Sequence, residues 1–216
     1  ALIPRAGFNE VQTTPTEFTL WSVVRVDAYN PTQAASNPVF AWGDWDEDFT
    51  TPRVEGIVVF VEHEGGELGT LKVWWGNNIF EPAQVLQGPL EGITEDEWFD
   101  FAIAYNRFGP AGPTLKLYVN GVLVATSVGA VASPLRFINS STGTGQSLGP
   151  YWNVFPRKFT SGTQQMFGDI TYDEQVMWPW EFTSSEIGSL HNNGSFQSIF
   201  GETDLGPRFT VFMVPM

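Results

Sequence analysis

Along much of the chain, apolar and aromatic residues alternate with polar ones or gather into short β-branched runs separated by Gly, Pro, Asn and Asp. A period of two marks a strand with one buried face, and short unbroken apolar runs suit strands covered on both faces. Strands are therefore predicted at EFTLWSVVRVDA (17–28), EGIVVFVEH (55–63), GTLKVWWG (69–76), EWFDFAIAY (97–105), LRFIN (135–139), DITYDEQVMW (169–178) and RFTVFMV (208–214). LKLYVNGVLVAT (115–126) adds a hairpin. Short strands at this spacing point to an antiparallel two-sheet sandwich or jelly roll, not to alternating βα units.

The hairpin is the most explicit local signal. Asn120 and Gly121 tolerate the two positive φ angles of a type I′ loop. Pairing Val119 with Val122 then sets Tyr118 opposite Leu123, Leu117 opposite Val124, Lys116 opposite Ala125 and Leu115 opposite Thr126. Both faces come out largely apolar, as expected between two layers. One helix is predicted in TSSEIGSLHNNG (183–194): Thr183 and Glu186 have capping-box spacing, Ile187 and Leu190 form an apolar side, and Gly194 stands at a C-terminal cap. Residues 139–164 show no clear period and are expected to form a long loop.

Composition narrows the function classes. The 216 residues, 42% hydrophobic, suffice for one large β domain, expected as 1–216 with an N-terminal arm at 1–16 and a C-terminal extension at 196–216 that ends in a strand. Twenty-four acidic against ten basic residues give a net charge of −14, which opposes nucleic acid and anionic lipid. With no cysteine and two histidines, thiolate chemistry and multi-histidine metal sites are set aside. No apolar run approaches ~18 residues, so no membrane insertion is expected.

The order of the pieces is more informative than any one of them. EDEWFDFAIAY, then LKLYVNGVLVAT, then FGDITYDEQVMW, then FTSSEIGSLHNNG follow one another. This series resembles the laminin-G-like and pentraxin-like branch of the concanavalin A-like jelly rolls, with Trp98, Tyr118 to Gly121, Gly168 to Ile170, Trp178 and Ser184 to Ile187 at the matching places. The resemblance covers roughly residues 17–195 and implies a two-sheet jelly roll with one short helix after the QVMW strand. It also implies a binding role and makes Trp178 a core residue.

Several residues are candidates for chemistry. GDWDEDFTTPRVE (43–55) spaces Asp44, Asp46 and Asp48 like hard-cation ligands, although Phe49 stands where an EF-hand needs glycine. The segment is expected to be an acidic hairpin loop, and Ca²⁺ is the one metal it would take. The resemblance places Gln164 where pentraxin-like proteins have a calcium-holding glutamine, but the acid and amide cluster expected upstream is missing from NSSTGTGQSLG. A retaining glycosidase needs two carboxyls about 5 to 5.5 Å apart. The nearest pairs are Glu95 with Glu97, at the turn leading into the Trp98 strand, and Asp46 with Asp48; neither sits inside a strand with a flanking aromatic platform.

Aromatics make up 15% of the chain, and sugar rings stack on exposed ones. Trp74 and Trp75 are adjacent on a strand, so one faces the core and the other lies outside or beneath a loop. Tyr151 and Trp152 in the long loop, Trp75 and Gln164 are the expected ligand-binding residues. The leading expectation is a non-catalytic, extracellular, cell-surface or virion-surface module that binds a glycan or a protein surface and is able to oligomerise or join a larger assembly. The alternatives are a decoration or fibre protein of a virus or phage particle, and a polysaccharide-cleaving enzyme.

Overall fold

Residues 17–28 show how one strand serves two layers. Phe18, Leu20, Val24 and Val26 enter the main core, while Trp21 and Val23 enter a second cluster on the opposite face. Period-two alternation does this wherever both faces of a sheet are covered. The computed structural model describes residues 2–3, 16–28, 37–46, 53–64, 67–78, 83–129, 135, 152–153, 157–160, 163–166, 169–191 and 212–213.

The strands are β1 (Leu2–Ile3), β2 (Glu17–Ala28), β3 (Asn37–Asp46), β4 (Arg53–Glu64), β5 (Glu67–Asn78), β6 (Gln84–Pro89), β7 (Trp98–Asn106), β8 (Thr114–Val119) and β9 (Val122–Val128). They continue with β10 (Trp152–Asn153), β11 (Arg157–Thr160), β12 (Thr163–Met166) and β13 (Asp169–Trp178); the helix α1 (Ser184–His191) and β14 (Phe212–Met213) follow. A first six-stranded sheet runs β1-β10-β3-β4-β5-β6, a second runs β14-β13-β2-β7-β8-β9, and β11 with β12 forms a small ribbon. All strand pairings among the described residues are antiparallel, and the two large sheets make a jelly-roll sandwich.

The main core lies between the sheets, where Ile57, Val59, Val61, Leu71, Val73 and Trp75 of the first meet Phe99, Phe101, Ile103, Tyr105, Leu115 and Leu117 of the second. The other face of the first sheet carries Val54, Val58, Phe60 and Trp74. The second sheet's outer face carries Trp21, Ala102, Ala104, Tyr118, Val176 and Trp178, covered by Phe182, Ile187 and Leu190. The helix is capped as its sequence predicts: the Thr183 N–H donates to Glu186 Oε2 at 2.8 Å, and the Glu186 N–H donates to Thr183 Oγ1 at 3.3 Å.

Four expectations need correction. The acidic segment is not wholly a loop, because Asp44 and Asp46 lie in β3 opposite Glu55 and Arg53 of β4. Pairing with a strongly β-forming neighbour overrides the poor strand propensity of Gly43 and its acids. The hairpin keeps Val119↔Val122 and Tyr118↔Leu123 but then slips, giving Leu117↔Ala125, Lys116↔Thr126 and Leu115↔Ser127. Val124 is the extra residue, and it packs against the main core. Strand β6, which sequence pattern missed, closes the first sheet's edge beneath it. A Cβ on Gly88 would lie 2.3 Å from Val124 Cγ2, so the bulge meets the opposite sheet where only glycine fits. Finally, the 139–164 stretch contains β10, β11 and part of β12.

Candidate functional site

The outer face of the second sheet divides into a covered part and an open part. Over the covered part, α1 is held by a buried polar junction. Asp100 lies on β7 with its carboxylate enclosed; the Trp21 indole N–H donates to Oδ2 at 2.8 Å, and His191 Nδ1 lies 2.7 Å from Oδ1. The Asp100 N–H donates to Asn120 Oδ1 at 3.1 Å, and the Asn120 N–H returns to the Asp100 carbonyl at 2.9 Å. Burial pushes the Asp100 carboxyl above the usual range, against the opposing pull of the Trp21 and His191 hydrogen bonds. All its oxygens are engaged and water is excluded, so Asp100 joins helix, turn and sheet and offers nothing to a substrate.

The open part begins two residues before Asp100, where β7 enters the sheet. Trp98 on β7 stands opposite Arg25 on β2, and Arg25 stands opposite Thr171 on β13. Cross-strand partners share a face, so three strands contribute one row. Two residues along β2, Asp27 accepts hydrogen bonds from Arg25 Nε and Thr171 Oγ1 on its two carboxylate oxygens. The Arg25 guanidinium lies 5.1 Å from the Trp98 ring centroid, within cation–π range. Trp98 is 38% exposed, while Trp21, Trp74, Trp75 and Trp178 are at most 4% exposed. The preceding turn is anchored: the Asp96 N–H donates to the Val26 carbonyl at 2.9 Å, and the Thr94 N–H donates to Glu97 Oε2 at 2.8 Å. The result is an exposed aromatic ring on a rigid sheet, flanked by a guanidinium, a carboxylate and a hydroxyl that hold one another in place. An aromatic face receives the C–H side of a sugar, and the polar trio matches hydroxyl donors and acceptors.

The structure places the sequence candidates differently from one another. Trp75, expected to bind ligand, is instead fully buried in the main core, with its ring 6.0 Å from that of Tyr105 and so close to Gly129 that a Cβ there would lie 2.6 Å from it. Its side of the strand faces the opposite sheet, so its ring presents no surface to a ligand. Trp178 is buried, as the resemblance implies. Tyr151 and Asp48 lie outside the described residues. Trp152 is in β10 opposite Trp42, and Gln164 is in β12 opposite Phe159; their side chains, like those of Asp44 and Asp46, lie outside the described set. No group of three or more metal-ligating side chains gathers among the described residues.

The Trp98 row was missed from sequence. Its local trace is that Arg25 and Asp27 continue the parity of Trp21 and Val23, a polar end to an otherwise apolar face. Their proximity to Trp98 and Thr171 depends on pairings across 73 and 146 sequence positions, counting from Arg25.

No family model matches the chain, and no curated protein matches it. Solved structures share the fold. A Bacteroides ovatus protein with a provisional carbohydrate-binding assignment aligns at TM-score 0.51 and 19% identity, covering 87% of this chain and 43% of its own. The botulinum neurotoxin serotype G binding domain aligns at TM-score 0.51 and 14% identity, covering 88% and 39%. The chain thus spans less than half of either. A heptameric SAP-like pentraxin from Limulus polyphemus aligns at TM-score 0.49 and 11% identity, covering 82% and 70%.

Proposed function

We propose that this chain is a non-catalytic recognition module that binds glycan on the open part of its second sheet, with Trp98 as the stacking platform. The observation that carries this reading is the cross-strand row of Trp98, Arg25 and Thr171 completed by Asp27. Among the tryptophans whose side chains are described, Trp98 alone is exposed, and it carries this polar fringe. The carbohydrate-binding assignment of the Bacteroides ovatus protein with this fold is consistent with the reading.

Two of the acids near the row are engaged in structure. Glu97 caps its own turn and Asp100 is sealed beneath α1, so neither is placed as a general acid or nucleophile. Tyr151, Trp152 and Gln164 remain separate candidates for ligand contact; Trp152 belongs to β10 of the first sheet, not to the second sheet that carries Trp98. No helix among the described residues is long and apolar enough to cross a membrane; action outside the cell or on a particle surface belongs to the proposal.

The test is retention of the purified chain on a broad panel of immobilised glycans, with Trp98→Ala run beside it and matched circular dichroism as the fold control. Wild-type retention that the variant loses is expected. Retention by both proteins alike would move the site away from Trp98, and retention of neither on any glycan would sink the reading.

A further inference from the structure

The charge and dimensions of the Trp98 row say which saccharides it accepts. This inference rests on the proposed glycan-binding reading. The one cation in the row, Arg25, is already paired with Asp27, whose second oxygen is taken by Thr171. Exposed Asp96 and Glu97 immediately precede Trp98, and exposed Asp173 follows Thr171 by two residues. The field at the platform is therefore negative, in a chain of net charge −14. A uronate, sialate or sulfate would meet like charge and find no unpaired cation in the row. An uncharged sugar meets no such opposition. It gains the ring face of Trp98 and hydroxyl contacts to groups whose positions are already fixed, so little ordering is needed on binding.

Size sets the second limit. Trp98 and Thr171 are two strand spacings apart, about 10 Å, and Arg25 to Asp27 adds about 7 Å along β2. That patch suits a disaccharide lying across the strands. Among the described residues no group of three or more metal-ligating side chains gathers at the row, so its polar contacts are drawn from the side chains themselves.

We propose that the Trp98 row is a metal-independent site for an uncharged hexopyranose disaccharide or for such a unit within a longer neutral glycan. The experiment titrates the full chain by calorimetry against neutral hexaoses (laminarihexaose, cellohexaose, maltohexaose and a β-1,4-galactohexaose) and against heparin, oligogalacturonate, sialyllactose and chitosan hexamer. Each titration is run with Ca²⁺ and with EDTA. Binding to at least one neutral hexaose is expected, unchanged by EDTA and nearly flat between about 0.05 and 0.5 M salt, because no ion pair is screened. Trp98→Ala should weaken it by about tenfold or more. Thr171→Val should weaken it by about threefold, which keeps the test open if the tryptophan variant misfolds.

Binding confined to charged saccharides, still lost in Trp98→Ala, would overturn the neutral-sugar inference and leave the glycan-binding site standing. Loss in EDTA would overturn metal independence and direct attention to Asp44, Asp46 and Asp48. No binding to any saccharide would remove both the inference and the reading beneath it.

Discussion

Gly121 provides a test of how α1 is seated. Its φ is +73°, and a Cβ there would lie 2.8 Å from His191 Cβ and 3.3 Å from Gly188 Cα. Gly121→Ala therefore adds two costs: a left-handed conformation for a residue with a Cβ, and an overlap with the helix. Gly92 separates them, because its φ is +77° and nothing lies within 4 Å of its Cβ position. Left-handed backbone costs an alanine about 1 to 2 kcal/mol, partly offset by the entropy that alanine removes from the unfolded chain, so Gly92→Ala should destabilise by about 1 kcal/mol. Overpacking adds about 1 to 3 kcal/mol, which puts Gly121→Ala at about 2 to 4 kcal/mol. Moving the helix to relieve the clash would also stretch the His191–Asp100 contact, so relaxation is itself costly. Urea unfolding of both variants, followed by far-ultraviolet circular dichroism and tryptophan fluorescence, gives the two values. Equal penalties, or a milder effect at Gly121, would refute the claim that the helix rests on the turn.

Two further outcomes follow from the same geometry. The native state holds the Asp100 proton to higher pH than the unfolded chain does, because burial raises that carboxyl. Its contribution to stability is therefore fully present below the ordinary carboxylate range and is lost as pH rises through the raised native value. The melting-temperature advantage of wild type over Asp100→Asn should shrink as pH rises from about 4, and a pH-independent difference would contradict the assignment. Gly88→Ala should cost about 1 to 3 kcal/mol through its collision with Val124, and Val124→Ala in the same chain should recover part of that loss. Additive penalties in the double-mutant cycle would show that the two edges do not touch as described.

Features governed by neighbours within a few residues were legible in the chain. The positive φ angles of Asn120 and Gly121, the Thr183–Glu186 box and the strand at 17–28 are each set by local sterics, capping or alternation. The order of the motifs carried the jelly-roll assignment, because their succession reflects the path of the chain through both sheets. Local pattern did not reveal β3 or β6, whose glycines, prolines and polar residues lie in strands because a neighbouring strand supplies the hydrogen bonds.

Tertiary structure decided which alternating set faced the core and which faced outward. Alternation predicts that Trp74 and Trp75 diverge, but only the opposing sheet determines that Trp75 meets Tyr105. The hairpin register could not be read past Tyr118, because the bulge at Val124 answers to Gly88 on the other sheet. The Trp98 row depends on the same long-range pairing: Arg25, Asp27 and Thr171 become its fringe only when β2 lies between β7 and β13. The physical reason is one of range. Turn angles, caps and alternation act between residues a few positions apart, whereas register, burial side and the meeting of side chains from three strands are fixed by contacts that form only on folding.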